Sequence, residues 1–255
     1  MEASGPMAPT TLGFLYPGSS AEDDIPALVG ALYPGGEVAA EVVHTSVGED
    51  AHTVDAVRDL GHAERLNEGT ATLIERNAAV VVWACTSGSF TYGWEGAQRQ
   101  AHDLSLTAGR PASSTSIAFV NALRLLGLHR VAIAATYPRA VTEAFGSFLT
   151  EAGFRTVLVQ PNDVFTAAEA GTIGREAVVN MVERCNHPDA EAVLVPDTAL
   201  HTVRWLDELE AVAGKPVLTA NQVSVWEALR LVGKAAAVPG HGALLAAEPT
   251  AVETD

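Results

Sequence analysis

Of the two cysteines in this 255-residue chain, one is placed where it could do chemistry. Cys85 ends the apolar run Ala79–Ala84, and Thr86, Ser87, Gly88 and Ser89 follow at once. Where a strand end turns into a helix, the first backbone N–H groups have no partner of their own. Those groups and the neighbouring hydroxyls suit a thiolate held beside a carboxylate or enolate oxygen. The same residues also fit a buried, inert core cysteine.

Asp197 is the matching candidate, directly after the apolar run AVLVP at 192–196. A carboxylate there either caps the following turn or faces a cleft, where it could act as a general acid or base. Thr198 follows it. Tyr137 comes shortly after RVAIAA and could donate its hydroxyl into the same cleft or simply plug a strand end. Ser19 and Ser20, in LYPGSS after Tyr16, offer hydroxyls and turn N–H groups. Cys185, beside Asn186 and His187 at a helix end, reads as structural. The eight histidines, His44 and His201 among them, show no ligand spacing, and no metal is expected. Neither GxGxxG nor GxxxxGK[ST] occurs, which disfavours a nicotinamide or ATP enzyme.

These residues need elements to hold them. Strands are expected over Thr11–Tyr16, Glu41–Thr45, Ala79–Ala84, Arg130–Ala135, Thr156–Gln160, Ala192–Pro196 and Pro216–Thr219, with a short extended piece at Pro111–Ser113. Helical spacing covers Ala27–Leu32, Thr53–Asn77, Trp94–Ala108, Ser116–Leu126, Val141–Ala152, Gly174–Cys185, Thr202–Ala213 and Ser224–Val232. Gly127 is a candidate C-cap. Strands alternating with helices predict parallel sheets covered on both faces. The halves look alike, since AVVVWACTSGS and AVLVPDTALHT each end an apolar run in a polar residue followed by Thr. In open parallel sheets, ligands bind beyond the carboxyl ends of the strands. The expected architecture is therefore α/β, with two lobes and a site between them. The expected boundaries are a mobile N-terminus over 1–10, an N-terminal lobe over 11–115 completed by 221–239, a C-terminal lobe over 116–220, and a mobile acidic tail over 240–255.

The formal net charge of −16 argues against nucleic acid or an anionic membrane as partner. No apolar stretch is long enough for a membrane helix, and MEASGPMAPTT does not read as a signal peptide. A cytoplasmic location is expected.

Four segments carry a resemblance: ACTSGS at 84–89, STSIAFVNALRLLGLHRVAIA at 114–134, ATYPRAVTEAFGSFLTEAGF at 135–154 and TANQVSVWEALRLVG at 219–233. Together they resemble the maleate cis-trans isomerase and arylmalonate decarboxylase branch of the aspartate/glutamate racemase superfamily. The resemblance spans about residues 11 to 233. It implies two Rossmann-like lobes related by a pseudo-twofold axis, no cofactor, a small carboxylate substrate and a homo-oligomer. It places Cys85 at the first-lobe cysteine and Thr86, Ser87 and Tyr137 at positions that bind substrate oxygens. Asp197 occupies the second-lobe cysteine position, so a two-thiol mechanism is excluded. Ala21 replaces the asparagine of maleate isomerases after the first-strand turn. The expectation is a cofactor-independent isomerase of a small dicarboxylate, with Cys85 as nucleophile or acid/base and Asp197 opposite. Thr86, Ser87, Tyr137, Thr198, Ser19 and Ser20 would bind substrate. A decarboxylase of malonate-type acids is the first alternative and a racemase the second. A non-catalytic binder of small acids is the reading from another class.

Overall fold

Val80–Trp83 is apolar at every position because both of its faces are covered. It is the third strand of the N-terminal sheet. In the computed structural model, which describes residues 8–249, that half runs β1 (Thr10–Pro17), α1 (Asp24–Leu32), β2 (Val38–Thr45), α2 (Val54–Leu60), α3 (Ala63–Glu75), β3 (Val80–Trp83), α4 (Ser87–Phe90), α5 (Gly93–Ala108) and β4 (Ala112–Ser114). Helix α6 (Thr115–Leu126) leads to the second half. That half contains β5 (Arg130–Ala134), α7 (Arg139–Glu151), β6 (Arg155–Gln160), α8 (Ala167–Ala170), α9 (Arg175–Arg184) and β7 (Ala192–Val195). It continues through a 3-10 turn at Val203–Trp205 to α10 (Leu206–Ala213), β8 (Val217–Thr219), α11 (Ala220–Leu231) and α12 (Gly242–Ala246).

The two sheets have the same plan. Their orders are β2-β1-β3-β4 and β6-β5-β7-β8, and every pairing is parallel. The expected two-lobed α/β architecture is therefore the one observed. Helices α6 and α11 pack on each other, and α11 also reaches α1, β3 and β8. One apolar cluster runs through both lobes, from Phe14 and Val82 through Phe119 to Ile133 and Phe145. Ser114 starts α6 by accepting from the Ile117 N–H, and Gly127 ends it in the left-handed region at φ 64°, as expected of a C-cap.

Three expectations are corrected. The helix over Thr53–Asn77 is two helices, broken at Gly61 and His62. A Cβ on Gly61 would lie 2.0 Å from the Gly88 carbonyl oxygen, so the break lets the chain after β3 come close. The helix over Thr202–Ala213 begins with the 3-10 turn, because Thr202 N–H and Val203 N–H both turn to the Asp24 carboxylate of the other lobe. Residues 242–246, expected in a mobile tail, form α12, with Leu244 and Leu245 buried. At the other end, β1 already includes Thr10. Residues 1–7 and 250–255 of the two expected mobile ends lie outside the described residues.

Candidate active site

The carboxyl ends of both sheets open on one cavity of about 240 Å³. Cys85 stands two residues beyond β3, and Asp197 two residues beyond β7, the equivalent strand of the other lobe. Both line the cavity, with Ser19, Ser20, Ser87, Tyr137 and Thr198. Thr86 is the exception. The first turn of α4 carries it inward, where its carbonyl accepts from Ser89 N–H, Phe90 N–H and the Ser116 hydroxyl. Its own hydroxyl is buried without a partner, facing Tyr137 without closing a hydrogen bond.

Cys85 is 3% exposed. The Gly88 N–H donates to Sγ at 3.3 Å, and Ser87 Oγ lies 3.8 Å away. Gly88 is required there, since a Cβ would sit 3.1 Å from Sγ and 3.0 Å from the Trp83 ring. Burial pushes the thiol up to about 11. The Gly88 and Ser87 donors pull the other way, and the Asp197 carboxylate adds to the rise. The thiol is therefore protonated at neutral pH, not the thiolate expected from the strand-end position. The local donors are present, but desolvation outweighs them.

Asp197 does both things its position allowed. One carboxylate oxygen accepts from the Ala199 N–H at 2.9 Å and closes a turn, and the other accepts from the Thr136 hydroxyl. It also lines the cavity. Two pseudo-equivalent Tyr-Pro pairs hold its peptide. Tyr16, at the end of β1, donates to the Thr198 carbonyl at 2.7 Å, and Tyr137, beyond β5, donates to the Pro196 carbonyl at 2.8 Å. Burial, reinforced by Asp197, raises both phenols, so each stays a donor. Asn221 joins the clamp, donating to the carbonyls of Thr198 at 3.1 Å and Ala21 at 3.3 Å.

Several contributors carry no local sequence signal. His52 lines the cavity and packs edge-on to Tyr137, with ring centroids 5.0 Å apart. Its Nδ1 lies 2.8 Å from the Val164 carbonyl, which can only accept, so Nδ1 donates in this contact. Thr136 and Asn221 act through contacts 61 and 200 residues away in sequence. The doubled Tyr-Pro was readable, as LYPGSS against TYPRAV. Cys185 is buried in the second lobe's own cluster, as a structural residue should be.

Glu49, Asp50 and Asp197 line the cavity, and no lysine or arginine does. Carboxylate oxygens would meet hydroxyl donors from Ser19, Ser87 and Thr198, whereas Tyr137, expected to bind substrate, commits its proton to the Pro196 carbonyl, and Ser20 pairs with the Tyr16 hydroxyl. Val47, Val57 and Leu60 form an apolar wall. Among the described residues, no three His, Cys, Asp or Glu side chains cluster as a metal site, and no helix is long and apolar enough to cross a membrane.

This fold of two parallel-sheet lobes is the one shared by arylmalonate decarboxylases and maleate isomerases. The arylmalonate decarboxylase family profile matches residues 12–245, and the chain belongs to that family. Arylmalonate decarboxylase from Bordetella bronchiseptica is 31% identical over 250 residues, covering 92% of this chain and 95% of that protein. Maleate isomerase Iso from Pseudomonas putida S16, in a cysteine-to-alanine variant with maleate, superposes at a TM-score of 0.85 with 18% identity, covering 93% and 98% of the two chains. A glycine-to-cysteine, cysteine-to-serine double mutant of arylmalonate decarboxylase in liganded form superposes at 0.81 with 27% identity, covering 92% and 98%.

Proposed function

We propose that the protein is a cofactor-independent decarboxylase of α-substituted malonates in which Cys85 is the proton donor. The observation that carries this reading is the burial of Cys85, which raises its thiol, in a cavity lined by no lysine or arginine. An isomerase that adds sulfur to a double bond needs a thiolate. No lysine or arginine lines this cavity to stabilise one. An acid that protonates a carbanion needs a thiol, and this site keeps it protonated.

One carboxylate of the malonate accepts hydrogen bonds from the Ser19, Ser87 and Thr198 hydroxyls. The other faces Val47, Val57 and Leu60, where a departing neutral CO₂ is better accommodated than a charged carboxylate. The C–C bond breaks, its electron pair passes into the retained carboxyl, and an enediolate forms. Hydroxyl donors at that carboxyl would stabilise the charge gathering on its oxygens. The Cys85 S–H then gives its proton to the α-carbon, leaving product carboxylate and thiolate. A proton taken up from solvent restores the thiol, since its value of about 11 lies well above neutral pH. Asp197 has both oxygens engaged, which holds its carboxyl in place. It adds to the burial that raises the thiol and both phenols.

The test is a proton NMR time course in D₂O with phenylmalonate and maleate in parallel, for wild type and Cys85→Ser. The expected result is loss of CO₂ from phenylmalonate with one solvent deuteron at the α-carbon, abolished in the variant. Conversion of maleate to fumarate with phenylmalonate untouched would assign the isomerase instead.

A further inference from the structure

A second cavity, of about 410 Å³, lies behind the Cys85 loop, between the α2–α3 turn and α5. It is larger than the catalytic one and opposite in charge. Arg58, His62 and Arg99 line it, and Asp103 is its one acid. In a chain of net charge −16 that contrast is local and specific. The Arg58 guanidinium lies 4.7 Å from the centre of the Tyr92 ring, and Tyr92 donates back to the Arg58 carbonyl at 2.9 Å. Among the described residues no carboxylate pairs with Arg58. Arg99 has only an exposed i,i+4 contact with Glu95, at 3.5 Å. Leu66 and Leu104 give the cavity an apolar floor.

The wall between the two cavities is thin. Leu60 faces the catalytic cavity and Gly61 the second one. Gln100 lines the second cavity, and its Nε2 donates to the carbonyls of Gly61 and Gly88, each at 2.9 Å. Two carbonyl acceptors fix the amide in this orientation. Gly88 is the residue whose N–H holds the Cys85 sulfur at 3.3 Å. A ligand that moves Gln100 would therefore pull on the Gly88 carbonyl, in the same residue whose N–H reaches the thiol.

We infer that this second cavity is a regulatory site for a small organic carboxylate with an apolar body, read at Cys85 through Gln100 and Gly88. Two guanidiniums supply the anion contacts and the leucine floor takes the hydrocarbon. The apolar floor is what separates such a ligand from inorganic phosphate, which would use the arginines alone.

The test titrates the ¹⁵N-labelled full chain with benzoate, and separately with phosphate at matched ionic strength, following amide shifts. Saturable benzoate shifts at Gly61, Gly96 and Gln100 are expected, with Gly88 following the same curve. In Arg58→Ala/Arg99→Ala the half-saturating concentration should rise about tenfold or more, as for a lost charge-assisted pair. Gln100→Leu should keep the shifts at Gly96 while uncoupling Gly88. Shifts confined to Ala51, His52 and Ser87 would place benzoate in the catalytic cavity and overturn the inference. So would an unchanged curve in the double variant, whose exposed side chains can be removed without disturbing the core. Phosphate binding as tightly as benzoate would overturn the organic ligand class. None of these readouts needs turnover, so a failed decarboxylase assay and a failed titration are separate results.

Discussion

Cys85 makes the sharpest demand at the scale of single residues. As a proton donor with its thiol raised to about 11, it is active below that value and lost above it. The pH profile of kcat/KM, with substrate ionisation corrected, should therefore be flat from about pH 7 to 9 and fall only near 11. A thiolate nucleophile would instead gain about tenfold per pH unit over the same range. Cys85→Ser should keep the fold, checked by thermal melting, and lose a factor of about 10² to 10⁴ in turnover. Asp197→Asn removes one of the causes that raise the thiol, so the alkaline limb should move to lower pH, measurable as an earlier onset of iodoacetamide alkylation at Cys85. The candidates legible in the sequence, Cys85 and Asp197, were those whose polarity interrupts an apolar run. The thiol's protonation state was not legible, because it depends on how completely β3, α4 and the opposite lobe exclude water. His52 and Thr136 were hidden for a related reason, since each matters only through a partner far along the chain.

Among the elements, the break between α2 and α3 shows where periodicity misleads. Apolar spacing runs through Thr53–Asn77 without interruption, and it predicts one helix. The break comes from a contact 27 positions away, where the Gly88 carbonyl occupies the space beside Gly61 that a side chain would fill. Gly61→Ala should therefore cost about 1 to 3 kcal/mol in urea unfolding. It should also lower turnover more than a surface Gly→Ala such as that at Gly30, where nothing lies within 4 Å of a new Cβ. The strands were easier to read, since β3 and β7 are apolar throughout and leave little choice but a doubly covered sheet. Helix α12 was obscured by an Ala-, Pro- and Glu-rich composition, although Leu244 and Leu245 reach the core.

Across the whole molecule, what matters is how the lobes are joined. Asp24 of α1 is buried and accepts from Thr202 N–H at 2.8 Å and Val203 N–H at 3.2 Å across the lobe boundary. Asp24→Ala strands both donors, and a loss of about 2 to 3 kcal/mol in unfolding free energy is expected. Asp50 makes a second crossing, accepting from the N–H groups of Ala167 and Ala168 at the cavity mouth. The matching strand orders of the two sheets have a further consequence. Equivalent positions after β3 and β7, one from each lobe, line the same cavity. When the α-carbon is flat, a proton arriving from the first lobe and one arriving from the second make mirror-image products. The handedness of a chiral product is then set by which lobe holds the sulfur. Exchanging the two residues, as Cys85→Asp with Asp197→Cys, should invert the enantiomer seen on a chiral column.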